Sequence, residues 1–311
     1  FFFKQKTAYE ISTRDWSSDV CSSDLSTGES DAGPLRIVGT EGRRQLVVSL
    51  VPPGADAEHL RDVTRAATYR VEPATLASVT AEGVVVPAAD GQGEIVVAVS
   101  GVAGIADGTE ARVPLVVERF GNDPPVEFFG RVVPVFTKFG CNGGGCHGKS
   151  GGQNGFRLSL LGFEPAEDHE HLVKEARGRR ISTTAPDESL LLLKAAAVVP
   201  HGGGKLIETG SPSYRLISRW IAEGARPGDP SAPKVTGIEV FPTLRVMRPG
   251  QSQQVRVTAI LSDGSREDVT PMAQYEVNAP DLASVDKSGL VSATERGTGA
   301  PRSGEIGRAH V

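Results

Sequence analysis

Two cysteines and a histidine in the middle of the chain form the residue pattern with the clearest chemistry. Cys141 and Cys146 are separated by four residues, three of them glycine, and His147 follows directly. Two thiols can add across the vinyl groups of a haem, and the adjacent histidine then presents its imidazole to the iron. The usual spacing is two residues, so the wider loop relies on glycine to bring both sulfurs to fixed positions. The pattern predicts covalent haem c attachment at Cys141 and Cys146, with His147 as an iron ligand.

Two other interpretations of this segment remain open. A disulfide between Cys141 and Cys146 would suit a haem-free adhesion or scaffold protein at the cell surface. Residues 143–150 also satisfy the phosphate-loop pattern GxxxxGK[ST], which requires a buried strand before it and a helix beginning at Lys149. The glycines after residue 150 disfavour that helix, and the preceding segment has a helical pattern. A zinc site is disfavoured because His147 lies too close to Cys146 for ordinary ligand spacing.

The surrounding segments resemble the cytochrome c domains of large planctomycete exported proteins over residues 127–228. The resemblance rests on a leading helix with Val-x-Pro before the cysteines and on four later stretches, which are 156–160 (Phe-Arg-Leu-Ser-Leu), 186–190, a Pro-centred loop at 199–204, and 220–225 (Trp-Ile-Ala-Glu-Gly-Ala). It implies a small, mostly helical domain that holds one covalently attached haem c with its iron.

The same resemblance bears on the second axial ligand. In related domains the Pro-centred loop often supplies a methionine, but Val199 occupies that place here. His201, two residues later, is therefore our candidate for the sixth ligand, and His169 and His171 are alternatives on a predicted helix. For these two we expect the ordinary role of a surface histidine. Met247 and Met272 lie outside the domain and are poor candidates.

The sequence also predicts which elements surround the motif. Helices are expected at 126–139, 168–177, 187–197 and 211–224, the last with a serine cap, a first-turn proline and a terminal glycine. Residues 227–233 read as a linker. A haem requires an apolar wall, which we expect from the large apolar residues nearest the motif, Phe136, Phe139, Leu160, Leu191 and Trp220.

A gapless repeat flanks this domain. Residues 62–85 recur at 268–291 with twelve of 24 positions identical, which indicates one folding unit used twice. Short alternating segments separated by Gly, Pro and Asp predict a small β-sandwich. The repeat resembles bacterial immunoglobulin-like (group 2) modules over 35–118 and 235–304. The predicted fold class is thus multidomain: an all-β immunoglobulin-like sandwich, a small mostly-α cytochrome c-like domain, and a truncated second sandwich.

Both ends of the chain resemble translated sequencing-library adapter. Residues 19–24 can be encoded by GAC GTG TGC TCT TCC GAT, whose reverse complement encodes residues 306–311. Residues 4–11 resemble a translated adapter tail. We therefore interpret 1–25 and 305–311 as artefactual and exclude them from fold reasoning. The second copy is then expected to lack its last strands and to expose an unpaired edge.

Charge and motifs limit the possible classes of function. The formal net charge is −5; the discarded ends carry four basic and five acidic residues, so the remainder carries −4. A mildly acidic chain without a basic patch disfavours nucleic acid as the main partner. No catalytic triad, carboxylate dyad or metal-hydrolase motif stands out, so an enzyme is not predicted for this fragment.

The predicted function is one-electron transfer or redox sensing by one haem c. The resemblance implies an exported protein, periplasmic or on the cell surface; a signal peptide is not present in this fragment. The redox partner is not identified by the sequence, and the sandwich domains would contact envelope or surface polymers.

Overall fold

The computed structural model describes residues 33–51, 57–102 and 109–294, together with the backbone of four short strands nearer the ends. The chain forms two compact units. A β-rich unit combines Phe1–Asp123 with Val235–Val311 and contains both copies of the repeat, while a helical unit spans Pro124–Lys234. No helix in these described ranges is long and apolar enough to cross a bilayer.

The first copy of the repeat is built from short strands. With the terminal strands that precede it, the elements are β1 (Gln5–Lys6), β2 (Ala8–Ile11), β3 (Asp24–Ser26), β4 (Leu35–Val38), β5 (Arg44–Gln45), β6 (Ser49–Val51), β7 (Arg61–Asp62), β8 (Ala67–Glu72), β9 (Ala77–Val79), β10 (Val84–Pro87), β11 (Gly91–Val99) and β12 (Thr109–Glu118). They pair in the orders β4-β12-β11-β8, β5-β10-β9 and β3-β6-β7. A single 3-10 turn, Ala57–His59, precedes β7.

The second copy uses a matching set of strands. These are β13 (Val235–Phe241), β14 (Leu244–Met247), β15 (Ser252–Gln254), β16 (Arg256–Leu261), β17 (Arg266–Asp268), β18 (Gln274–Glu276), β19 (Ala283–Val285) and β20 (Leu290–Ala293), followed by the terminal strand β21 (Arg308–His310). The orders β13-β16-β17 and β15-β20-β19 repeat β3-β6-β7 and β5-β10-β9. The strand order of the shared region is therefore the same in both copies, as the gapless repeat predicts.

Individual hydrogen bonds are repeated as well. The Thr64 hydroxyl accepts from the backbone N–H of Val48 at 2.9 Å, and the Thr270 hydroxyl accepts from Val257 at the same distance. A tyrosine hydroxyl five residues after each threonine donates to the carbonyl of that threonine. Tyrosine-to-backbone bonds of this kind fix strand corners in sandwich folds. The threonine and the tyrosine that fix the strand corner are therefore conserved between the two copies of the repeat.

The prediction of an unpaired edge in the second copy is wrong in this structure. In the first copy β12 runs parallel to β4 and β11 runs antiparallel to β8. In the second copy the corresponding places are taken by terminal strands, because β2 runs parallel to β14 and β21 runs antiparallel to β18. Most of residues 1–25 and 305–311 lie outside the described residues, and their interpretation as adapter sequence stays a prediction.

The two copies also bind each other reciprocally. The backbone N–H of Gln45 donates to the Asp268 carboxylate at 2.6 Å, and the backbone N–H of Gln254 donates to the Asp62 carboxylate. Each glutamine side chain also donates to two carbonyls of its own copy, at 2.7–3.0 Å. Burial raises the pKa of both carboxyl groups. Equivalent residues of the repeat therefore form both halves of one interface.

The helical unit has short helices joined by long loops. A π-helical segment, Phe128–Val132, runs into α1 (Val133–Lys138), and α2 (Pro165–Val173), α3 (Leu190–Ala195) and α4 (Pro212–Ala222) follow, with 3-10 turns at Leu160–Gly162, Glu175–Gly178 and Pro186–Glu188. The Ser211 hydroxyl accepts from Tyr214 N–H at 3.3 Å and caps α4, as predicted. The bounds of two predicted helices are wrong: α2 begins and ends earlier than the predicted 168–177, and α3 is shorter than the predicted 187–197.

The core of the helical unit is aromatic. Trp220 is fully buried, its ring centroid is 4.9 Å from that of Phe128, and its indole N–H donates to the Arg226 carbonyl at 2.9 Å. Leu172 and Ile217 are also fully buried in this cluster. Burying side chains of this size stabilises a fold by about 1.5–3 kcal/mol each. This packing holds α2 and α4 in place around the central motif.

Candidate functional site

The cysteine motif forms a compact loop directly after α1. Gly140 adopts a left-handed conformation (φ 72°) and ends the helix. The backbone N–H of Cys141 donates to the Phe136 carbonyl at 2.8 Å, and the N–H of His147 donates to the Cys141 carbonyl at 3.0 Å. The last residue of the motif is therefore hydrogen-bonded to the first, which brings both thiols and the imidazole to one side of the loop.

The glycine that this loop requires lies just outside the predicted run. None of the three glycines at 143–145 has a positive φ. At Gly148, in contrast, an added Cβ would lie 1.9 Å from the backbone oxygen of Asn142. The loop turns back on itself here, and only a residue without a side chain fits.

The phosphate-loop interpretation of residues 143–150 is wrong. That site requires a buried strand before the glycines and a helix beginning at Lys149. The structure has helix α1 before the loop and turns through residues 148–151. No helix N-terminus is available to bind phosphate at this position.

Both cysteines and both candidate axial histidines line one cavity of about 480 Å³. That volume lies within the range of about 300–1,000 Å³ that ligand pockets occupy. The structure therefore brings Cys141, Cys146, His147 and His201 together. The apolar part of the wall consists of Phe136, Phe156, Leu158, Leu172, Leu190, Leu191, Leu206, Ile207 and Ile217.

The predicted wall is only partly right. Phe136 and Leu191 line the cavity, whereas Phe139, Leu160 and Trp220 do not. Leu160 is 54% exposed, and Trp220 lies in the core of the helical unit. Two parts of the wall were not predicted: the segment after the motif, where Phe156 and Leu158 alternate with polar residues, and the apolar positions at 206–207.

His147 has the hydrogen bond of a preorganised metal ligand. Its Nδ1 lies 3.0 Å from the carbonyl oxygen of Phe156, and its ring centroid is 4.6 Å from the Phe156 ring. Because a carbonyl only accepts, Nδ1 carries the proton and Nε2 keeps its lone pair. Burial, chiefly, lowers the pKa of His147, with further contributions from nearby His201 and Arg180. The neutral imidazole is the form that binds a metal.

His201 matches His147 across the cavity. Its Nδ1 lies 2.9 Å from the Gly204 carbonyl oxygen, so its Nε2 is also free to bind. The two imidazole planes are within 5° of parallel, with their centroids 6.4 Å apart. Two imidazoles bound to one metal have centroids about 6.3 Å apart, from metal–nitrogen bonds of about 2.0–2.1 Å and ring bonds of about 1.33 Å. The observed centroid separation of 6.4 Å is close to that value.

The donor set favours a metal that brings its own equatorial ligands. Among the residues that the structure describes, no group of three or more His, Cys, Asp or Glu side chains could hold a bare metal ion. Two imidazoles alone complete the coordination of a metal whose other four ligands are ring nitrogens. The residues present therefore fit a haem better than a free ion.

The two thiols are not joined to each other. Cys141 and Cys146 are free cysteines, so the structure does not contain the alternative disulfide. Burial, with the nearby Cys146, raises the pKa of Cys141 to about 12. Thiolates are the usual metal ligands and nucleophiles. A thiol with a raised pKa is a weaker metal ligand and nucleophile at neutral pH than an ordinary cysteine.

The alternative histidines are not at the cavity. His169 is buried, contrary to our expectation of a surface role, and its Nε2 lies 2.8 Å from the Ala225 carbonyl oxygen. His171 Nε2 is 3.2 Å from an Arg157 nitrogen. Met247 is buried in the second copy of the repeat. None of these side chains lines the cavity, which leaves His201 as the candidate distal ligand.

Three cations at the cavity were also missed. Arg179, Arg180 and Lys194 are part of the lining. Arg180 is buried, its guanidinium lies 4.6 Å over the Phe156 ring, and it donates to the Gly155 carbonyl at 2.6 Å. The only sequence signal was the Arg-Arg pair after Gly178, which looks like ordinary surface charge. Arg180 therefore supports Phe156, which in turn contacts His147.

Comparison with known proteins identifies one domain. Residues 234–300 match the bacterial Ig-like domain (group 2) family, so the C-terminal part of the chain is an immunoglobulin-like sandwich. No curated protein matched the chain. Among solved structures, the chain is similar to surface layer protein SbsC, domains 1–6, at 11% identity and a TM-score of 0.19. That match covers 90% of this chain and 25% of the other, and a likeness this weak carries no argument.

Proposed function

We propose that the helical unit binds one haem c and works as an electron-transfer or redox-sensing module. Cys141 and Cys146 would form the thioethers, His147 the proximal ligand and His201 the distal ligand. The haem would supply the one-electron chemistry of its iron.

One observation carries this proposal. Two parallel imidazoles face one another 6.4 Å apart in a cavity that also contains both thiols. This centroid separation is close to the value of about 6.3 Å for two imidazoles that share one metal atom. Each imidazole is held by an Nδ1 bond to a backbone carbonyl, which leaves both Nε2 atoms as the binding atoms.

The protein's own residues would then set the properties of the site. The aliphatic wall excludes water, and the carbonyls of Phe156 and Gly204 would fix the orientation of the two imidazoles through their Nδ1 atoms. Replacing a thioether ligand by a second imidazole favours the ferric state, so we expect a lower potential than in cytochromes with histidine and methionine ligands.

A scaffold role for the β-rich unit is the second candidate function. The reciprocal Asp62 and Asp268 contacts hold the two copies of the repeat together, and the family match supports a surface or extracellular location. We propose that the sandwich modules attach the haem unit to surface or envelope polymers in an exported protein, and we assign no enzyme activity.

Mass spectrometry after denaturation tests the attachment. Protein expressed with haem-maturation machinery and extracted with acid acetone should keep a haem on residues 141 and 146. Cys141→Ala with Cys146→Ala should lose that mass, while Cys21→Ala, the third cysteine of the chain, serves as the matched control and should keep it. A Cys141–Cys146 disulfide without added haem mass would refute the proposal.

A further inference from the structure

The charged residues at the cavity all have the same sign. Arg179, Arg180 and Lys194 line it, and no aspartate or glutamate of the described residues does so. The uncharged polar side chains of Gln153 and Asn154 also belong to the lining, while most of the remaining wall is aliphatic or aromatic. A molecule that fills this cavity therefore meets both apolar surface and concentrated positive charge.

Of the three cations, only Arg180 has a carboxylate nearby among the described residues. Buried Arg180 has the Glu175 carboxylate 3.9 Å from its Nη1. Arg179 is exposed, and within the described part of the chain its guanidinium has no hydrogen-bond or ion-pair partner. The Lys194 ammonium donates to the backbone carbonyl of Pro200 and not to a carboxylate. Arg179 and Lys194 are thus available to an anionic ligand.

These two cations come from different segments around the cavity. Arg179 follows the 3-10 turn Glu175–Gly178, while Lys194 lies in the last turn of α3. The carbonyl that Lys194 contacts belongs to the residue just before His201. Two separate cations suit a ligand with two carboxylates better than a ligand with one, because each can form its own charge-assisted hydrogen bond.

We propose that Arg179 and Lys194 bind two carboxylates of the ligand and make the cavity selective for tetrapyrroles with free acid side chains. This inference rests on the proposed haem function and specifies which tetrapyrroles the cavity binds. A cation without a carboxylate partner attracts an incoming anion, and solvent screens half-buried Lys194 less than exposed Arg179. An esterified tetrapyrrole has the same apolar ring but cannot form these bonds.

Porphyrin titration of the full chain tests the inference. Reduced protein produced without maturation machinery is titrated with iron protoporphyrin IX, which has two propionates, and with its dimethyl ester, in the same detergent. The change in the Soret absorption band gives each affinity. The test variant is Arg179→Gln with Lys194→Gln. The matched control, Arg177→Gln with Lys205→Gln, removes the same charges from neighbouring positions outside the cavity lining.

The expected result is selective. Wild-type protein should bind the diacid about tenfold more tightly than the diester, and the test variant should lose about tenfold for the diacid only. The control variant should match wild type. Unchanged diacid affinity in the test variant, equal losses for both porphyrins, or an equal loss in the control would overturn the inference. Equal wild-type affinity for both porphyrins, or binding of neither, refutes the inference, whereas the haem function itself is refuted only when matured protein has no haem mass.

Discussion

Replacing Asp268 by alanine tests whether buried carboxylates hold the two copies of the repeat together. The Asp268 carboxylate is buried and accepts from the backbone N–H groups of Gln45 at 2.6 Å and Thr270 at 2.9 Å. Each buried N–H left without an acceptor costs about 1–3 kcal/mol, and removal of a desolvated charge offsets part of that cost. We therefore expect Asp268→Ala to lower the unfolding free energy of the β-rich unit by about 2–4 kcal/mol at pH 7.

Asp263 provides a matched control in the same copy. It accepts from the backbone N–H of Ser265 at 2.9 Å and from its hydroxyl at 2.6 Å, but it is exposed. Water can replace the lost acceptor, so Asp263→Ala should cost less than about 0.5 kcal/mol. Urea unfolding followed by hydrogen exchange of peptides from residues 44–51 reports on the first copy separately from the helical unit.

The pH dependence gives a second readout for Asp268. Burial raises its pKa above the usual value of 3.8, so the folded state binds the proton more tightly than the unfolded state. The stability that this provides is fully present below the usual pKa and is lost as the pH rises through the folded-state pKa. Asp268→Asn should flatten this decline. Equal losses for Asp268→Ala and Asp263→Ala, or an unchanged pH slope in Asp268→Asn, would refute the reasoning.

Three further predictions concern the motif loop, the distal ligand and the sheet edges. Gly148→Ala places a Cβ 1.9 Å from a backbone oxygen and should abolish haem retention, whereas Gly145→Ala meets no atom within 4 Å and should retain haem, as scored by mass spectrometry. His201→Ala should convert a low-spin ferric absorption spectrum to high-spin, with added imidazole restoring it, while His171→Ala stays low-spin; a low-spin His201→Ala spectrum would exclude this ligand. Deleting residues 1–11 removes the partner of β14 and should increase aggregation in light scattering; an unchanged monomer would contradict this.

The repeat made the β-rich unit predictable from sequence. Twelve identities in 24 positions carry the threonine and tyrosine that form the same corner bonds in each copy. The reciprocal bonds of Asp62 and Asp268 were not predicted, because nothing in a repeat shows that its copies contact each other. The pairing of β2 with β14 and of β21 with β18 was not predicted either. The residues of β2 and β21 had been interpreted as artefactual and were not considered as strands.

The candidate site was predictable where its residues are close in sequence. Cys141, Cys146 and His147 form one loop, and their proximity follows from their spacing. The cavity wall was harder to predict because Leu158, Ile207 and Ile217 meet only through tertiary packing. The end of the helix predicted over 168–177 was wrong for a local reason. Ala176 and Arg177 both adopt positive φ, of 52° and 60°, although neither residue type favours that conformation.

The absorption spectrum of the matured protein tests the central claim most directly. Expression with haem-maturation machinery, followed by purification and a spectrum in the oxidised and reduced states, is sufficient. If His147 and His201 bind one iron, the protein will show a Soret band and a low-spin spectrum in both states, with haem that denaturation does not release. Colourless protein, or haem that is lost on denaturation, would contradict the account.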